Sequence, residues 1–249
     1  MAYFKDNPAL AAASLAPAKP VAAPPPSGTI LGRMARSYNA VGGLINIVAQ
    51  IAKIDPVAVL SVWYVESGGA PFVPGQPVLR FEVHKFYKYW GRTHLAEFDA
   101  HFQFGGHAGI PGTPSQNHKY RVAADGAWST FHGDQAKEYD VFALATSLST
   151  KDLACMSASF GGAQIMGFNH GACGYDTAAA MFDAFAADAR WQVLGFFDFC
   201  QTNAGLLHDI QVEDWVSFGT VYNGDGATYG PHLAEAYGQK TALEALIPA

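Results

Sequence analysis

The run Val57-Ala58-Val59-Leu60-Ser61-Val62-Trp63-Tyr64-Val65-Glu66 constrains this chain more than any other stretch. Asp55-Pro56 stands before it and Gly68-Gly69 follows Ser67. Asp is a good helix N-cap, Pro is favoured at the first helical position, and glycine supplies the left-handed residue that ends helices. A helix is therefore predicted here. Up to Val65 it is apolar on every face except at Ser61, and a short helix of that kind belongs inside a core. It then ends in a carboxylate. The surroundings of Glu66 should be dry, and the last turn of a helix disfavours negative charge; both effects raise a carboxyl pKa. An acid kept protonated near neutral pH is what glycoside cleavage requires, because the leaving oxygen must receive a proton. Taken alone, the segment also fits a helix-end glutamate turned to solvent.

Around this helix the chain divides unevenly. Residues 8–28 are rich in Ala and Pro and end in Pro24-Pro25-Pro26-Ser27-Gly28. They show no periodic apolar face, so residues 1–30 read as a tail or linker that packs poorly, and residues 31–249 as the folded domain. Leu44, Ile45, Val48 and Ile51 recur at helical spacing within a helix predicted over 33–53. Residues 70–81 read as a turn with a short strand or hairpin, and 82–90 as a helix. Residues 103–133, rich in Gly, Pro, His and Asn, read as a long surface loop. Helices are predicted over 135–148, 153–158, 177–203, 212–222 and 232–246. The fold class is mostly α, with a small β element after the Glu66 helix.

Half of the 249 residues are hydrophobic, and no run reaches the roughly 20 apolar residues that span a bilayer. No secretory signal is expected, since no basic region precedes a sustained apolar run. The net charge of −6 argues against nucleic acid as a partner. Cys155, Cys173 and Cys200 are read as small buried side chains, with one disulfide left open. The nine histidines are scattered and neither CxxC nor HExxH occurs, so no metal and no cofactor are expected.

Two further segments carry polar groups in apolar settings. Ser159-Phe160-Gly161-Gly162-Ala163-Gln164-Ile165-Met166-Gly167-Phe168-Asn169 places Gln164 inside an apolar run; it also reads as a tight helix–helix turn whose Gln bonds internally. Tyr222-Asn223-Gly224-Asp225-Gly226 reads as a turn that delivers Tyr222 and Asn223 at a helix end, or as a plain helix cap.

Together with Val65-Glu66-Ser67-Gly68-Gly69, Leu79-Arg80-Phe81-Glu82-Val83-His84, Glu138-Tyr139 and Leu233-Ala234-Glu235-Ala236-Tyr237, these segments resemble the N-acetylmuramidase family of phage endolysins. Its wider relatives are goose-type lysozymes and lytic transglycosylases. The resemblance spans roughly residues 35–245. It implies a lysozyme-like helical domain with a β-hairpin after the catalytic helix, acting on bacterial peptidoglycan strands as a monomer. The bond cut is the β-1,4 linkage between N-acetylmuramic acid and N-acetylglucosamine. Glu66 maps onto the catalytic acid. Glu82 is a candidate second carboxylate, either base or electrostatic partner, and its other reading is an ion pair with Arg80 or His84. Glu138 is a weaker candidate. Ser67, His84, Gln164, Asn169, Tyr222 and Asn223 are the implied substrate contacts. Such an enzyme is made in a host cytoplasm and reaches the wall after release or on a virion. Two alternatives stay open: a lytic transglycosylase forming 1,6-anhydro ends, and a non-catalytic wall-binding or virion protein on the same fold.

Overall fold

A computed structural model describes residues 3–248 except Pro71, Pro74 and Ala204. The chain runs through α1 (Pro8–Ala12), α2 (Ile30–Ala52) and α3 (Pro56–Ser67) into a hairpin of β1 (Phe72–Val73) and β2 (Gln76–Pro77). Next come β3 (Leu79–Phe81), α4 (Val83–Tyr89), α5 (Leu95–His101), β4 (Phe102–Gln103) and β5 (Lys119–Tyr120). Then follow α6 (Gln135–Leu148), α7 (Lys151–Met156), β6 (Ala158–Phe160) and β7 (Ile165–Met166). The C-terminal third is helical: α8 (Ala178–Ala187), α9 (Ala189–Thr202), α10 (Leu206–Gln211), α11 (Trp215–Tyr222), α12 (Gly226–Tyr237) and α13 (Lys240–Leu246).

The apolar helix is α3, and it starts and stops where its signals lie. The Asp55 carboxylate accepts from Val57 N at 2.8 Å, and Gly68 ends the helix at φ 64°. Val57 to Trp63 are all buried between α2 and α12. The mostly helical class and the small hairpin after α3 follow the sequence reading.

Four expectations are corrected. Residues 159–169 form a β-hairpin, not a helix–helix turn. In an antiparallel sheet of order β3-β6-β7, Leu79 pairs with Phe160, Phe81 with Ala158, and Ser159 with Met166. Residues 177–203 form two helices, because the Asp188 side chain caps Arg190 N at 2.8 Å and its extended backbone (φ −161°) breaks the run. The 103–133 stretch is no mere surface loop: Phe104, His118, Tyr120 and Phe131 are buried, and β4 pairs with β5.

The fourth correction concerns the tail. Residues 3–29 are laid onto the domain by a few long-range anchors, not by a periodic face. Leu10 and Val21 are each 3% exposed. The Asp198 carboxylate of α9 accepts from Phe4 N (2.6 Å) and Lys5 N (3.1 Å). Asn39 bonds both the N–H and the C=O of Val21, and Leu15 O accepts from Gly43 N. The three cysteines are buried and unpaired. No helix among the described residues is long and apolar enough to cross a membrane.

Candidate active site

The end of α3, the β3-β6-β7 sheet and the α11–α12 turn converge on a groove of about 860 Å³. Each wall follows from local sequence. In β3, Leu79 and Phe81 turn into the core, so the period of two sends Arg80 outward to the groove. Gly162 lies against the Trp63 indole, where an added Cβ would stand 2.5 Å from a ring carbon. That contact seats the β6–β7 turn on α3. Gly219, Gly226 and Gly230 let α11 and α12 pack closely, and Tyr229 of α12 thereby reaches Glu66.

Glu66 lines the groove, and its Oε1 accepts a hydrogen bond from Tyr229 Oη. Protein packed around the carboxyl desolvates it and pushes its pKa up to about 7; the Tyr229 hydroxyl and the Arg80 charge act the other way. Desolvation wins because both opposing groups only partly replace water. The carboxyl thus exchanges its proton near neutral pH, the property required of a general acid.

Glu82 also lines the groove. Its Oε1 accepts from Arg80 Nε at 2.8 Å, and its Oε2 lies 3.4 Å from His84 Nδ1 and 3.5 Å from His118 Nδ1. The ion pair with Arg80 is present, yet it leaves Oε2 buried without a hydrogen-bond partner. Burial lowers the pKa of His84 and takes that of His118 down to about 4. A second line of groups runs behind. His118 Nδ1 meets His132 Nε2 at 2.8 Å, and His132 Nδ1 meets Glu138 Oε1 at 2.9 Å. Glu138 Oε2 accepts from Phe81 N at 2.8 Å. Glu138 therefore pins β3 from within the core, and it does not line the groove.

Of the residues expected to contact substrate, His84, Gln164, Asn169, Tyr222 and Asn223 line the groove, and Ser67 does not. One step along a helix turns a side chain by about 100°, and the Ser67 hydroxyl bonds Trp63 O at 3.0 Å. The Gln164 amide is largely spent inside the protein. Its Nε2 donates to Val78 O (3.0 Å) and Gly161 O (2.9 Å), and its Oε1 accepts from Ser159 Oγ (3.0 Å). It shapes the wall and retains one acceptor lone pair. The Tyr222 hydroxyl donates to Ala163 O at 2.6 Å, while its ring stacks on Phe218. The groups that the sequence reading did not single out are Tyr229, Lys85 and His118, while Arg80 was expected only as an ion-pair partner of Glu82. Only the glycines flanking Tyr229 hinted at a close helix contact.

The helical domain with its small sheet and groove-end acid defines a class, and comparison with known proteins agrees with it. The N-acetylmuramidase family model matches residues 55–241. The chain belongs to the N-acetylmuramidase family, which makes it a peptidoglycan-cleaving enzyme. Among solved structures it is similar to the crystal structure of the Burkholderia AP3 phage endolysin. The two are 27% identical over 80% of this chain and 70% of that one, with a TM-score of 0.59. No curated protein matches the chain.

Proposed function

We propose that this chain hydrolyses the β-1,4 bond between N-acetylmuramic acid and N-acetylglucosamine, with Glu66 as the general acid. The observation that carries the reading is the desolvated Glu66 carboxyl, its pKa near 7, on the wall of a groove roomy enough for sugar rings. Glu66 gives its proton to the leaving glycosidic oxygen, and the Tyr229 hydroxyl steadies the carboxylate that remains. Glu82 is the second carboxylate of the groove, and with its Oε1 held by Arg80 and its Oε2 buried it serves as an electrostatic partner for the positive charge that develops on the sugar, not as a base for water. Asn169 and Asn223 are the amides available to sugar hydroxyl and acetamido groups. Although the chain as a whole is acidic, Arg80 and Lys85 put cations on the groove wall for the carboxylates of peptide stems. The setting proposed is that of an endolysin, acting on the wall as a monomer after release or from a virion.

Digestion of purified peptidoglycan, with the new ends read by mass spectrometry, tests this. Reducing muramic acid ends are expected. Ends one water lighter, carrying 1,6-anhydro-muramic acid, would transfer the same groove to a lytic transglycosylase. No new ends from the folded protein would leave a wall-binding role on this fold.

A further inference from the structure

We propose that Glu82, His84 and His118 form a binding site for a divalent transition metal, zinc in class, in the wall of the groove. The three residues each offer one ligand atom, and these atoms lie within 4.8 Å of one another. The closer separations are informative. Glu82 Oε2 stands 3.4 Å from His84 Nδ1 and 3.5 Å from His118 Nδ1. These are too long for good hydrogen bonds, which run to about 3.2 Å. They are the right length for two ligands of one metal: bonds of about 2.0–2.2 Å in tetrahedral array set neighbouring donors about 3.3–3.5 Å apart.

Of the three donor atoms Glu82 Oε2 has no partner, while His84 Nδ1 lies 3.3 Å from His118 Nε2 and would exchange that contact for the metal. Glu82 Oε1 is taken by Arg80 Nε, so the buried Oε2 is left with no hydrogen-bond partner. A buried carboxylate oxygen without a partner is rare and calls for an explanation. For His118, Nε2 lies 2.9 Å from Pro114 O, which can only accept. That contact fixes the proton on Nε2 and leaves the Nδ1 lone pair for a ligand, the usual outer-sphere arrangement of a metal-bound histidine. His132 Nε2 now meets that lone pair at 2.8 Å, and the metal would take its place there. Two imidazoles and one carboxylate suit zinc and its neighbours, not magnesium or calcium, which prefer all-oxygen sets. Glu82 and His84 line the groove and provide the way in. The Arg80 and Lys85 charges beside the site oppose a cation, so binding weaker than that of a structural zinc site is expected. His118 sits 34 residues from His84, and no local spacing in the sequence announces the set.

This inference rests on the donor atoms and not on the glycosidase reading. Titration calorimetry of the metal-stripped full chain with zinc chloride should show one site per chain. Cobalt(II) should give the visible absorption of a tetrahedral centre. His84→Ala and Glu82→Gln, checked for folding by circular dichroism, should each weaken zinc binding by at least about 10-fold. His107→Ala, which removes a histidine that pairs with Asp99 and packs on Tyr87, Phe98 and Phe104 but is none of the three donors, should bind as the wild type does once its folding is checked. Anomalous diffraction at the zinc edge from wild-type crystals soaked in zinc needs no variant, and should place the metal between the three side chains. Zinc found elsewhere, no uptake at all, or uptake unchanged in folded His84→Ala would overturn the proposal.

Discussion

Glu66 could be read from the sequence because everything that makes it an acid is local: an apolar run before it, a helix end around it and glycines after it. Its partner could not. Tyr229 is 163 residues away, and no periodicity links the two. Two outcomes follow at this scale. Glu66→Gln keeps the size of the side chain but has no proton to give. General acid catalysis is worth about 10²–10⁴-fold, so wall clearing should fall by that order while the fold persists. Clearing at near the wild-type rate would place the acid elsewhere. Tyr229→Phe removes a hydrogen bond that favours the carboxylate, so Glu66 should hold its proton to higher pH. The wild-type rate should decline as pH rises through about 7, and that limb should move alkaline in Tyr229→Phe. A pH–rate profile for each checks the shift, and an unmoved limb would mean that the hydroxyl does not govern the acid.

Elements with strong signals at both ends, such as α3, stood where the sequence put them, whereas those held by distant partners did not. The β6–β7 hairpin also fits a helix–helix turn in the sequence, because a Gly-Gly pair that allows close backbone approach suits either. Gly162 in fact lets the turn lie flat on Trp63. Gly162→Ala should overpack that contact and cost about 1–3 kcal/mol, measured by denaturant unfolding. No loss would show that the Trp63 ring can move aside. The first 30 residues misled for the opposite reason. Anchoring by single side chains leaves no periodic trace, yet burying Leu10 and Val21 is worth about 1.5–3 kcal/mol each. Removing residues 1–27 would also strip two N–H donors from the buried Asp198 carboxylate. The shortened chain should melt roughly 5–10 °C lower. An unchanged melting temperature would restore the reading of a loose tail.

At the scale of the whole molecule, the groove is a product of topology. Its residues come from α3, β3, the β6–β7 hairpin and the α11–α12 turn, and only the family resemblance joined those segments before the fold did. Burying an acid among them has a consequence for the stability of the entire domain. Folded, Glu66 keeps its proton to about pH 7, against an ordinary value of 4.5. Between these limits the folded chain holds more protons than the unfolded one, so this group makes stability fall as pH rises. Below pH 4.5 both states are protonated and the effect vanishes. Above pH 7 it is complete, at roughly 3 kcal/mol at most. Gln at position 66 titrates in neither state, and comparing it with the wild type cancels every other ionising group. Glu66→Gln should therefore melt close to the wild type at pH 4 and up to roughly 5–10 °C higher at pH 8. An equal difference at both pH values, or a less stable variant at pH 8, would show that the carboxyl is not desolvated. The general acid would then have to be sought among the other groups of the groove.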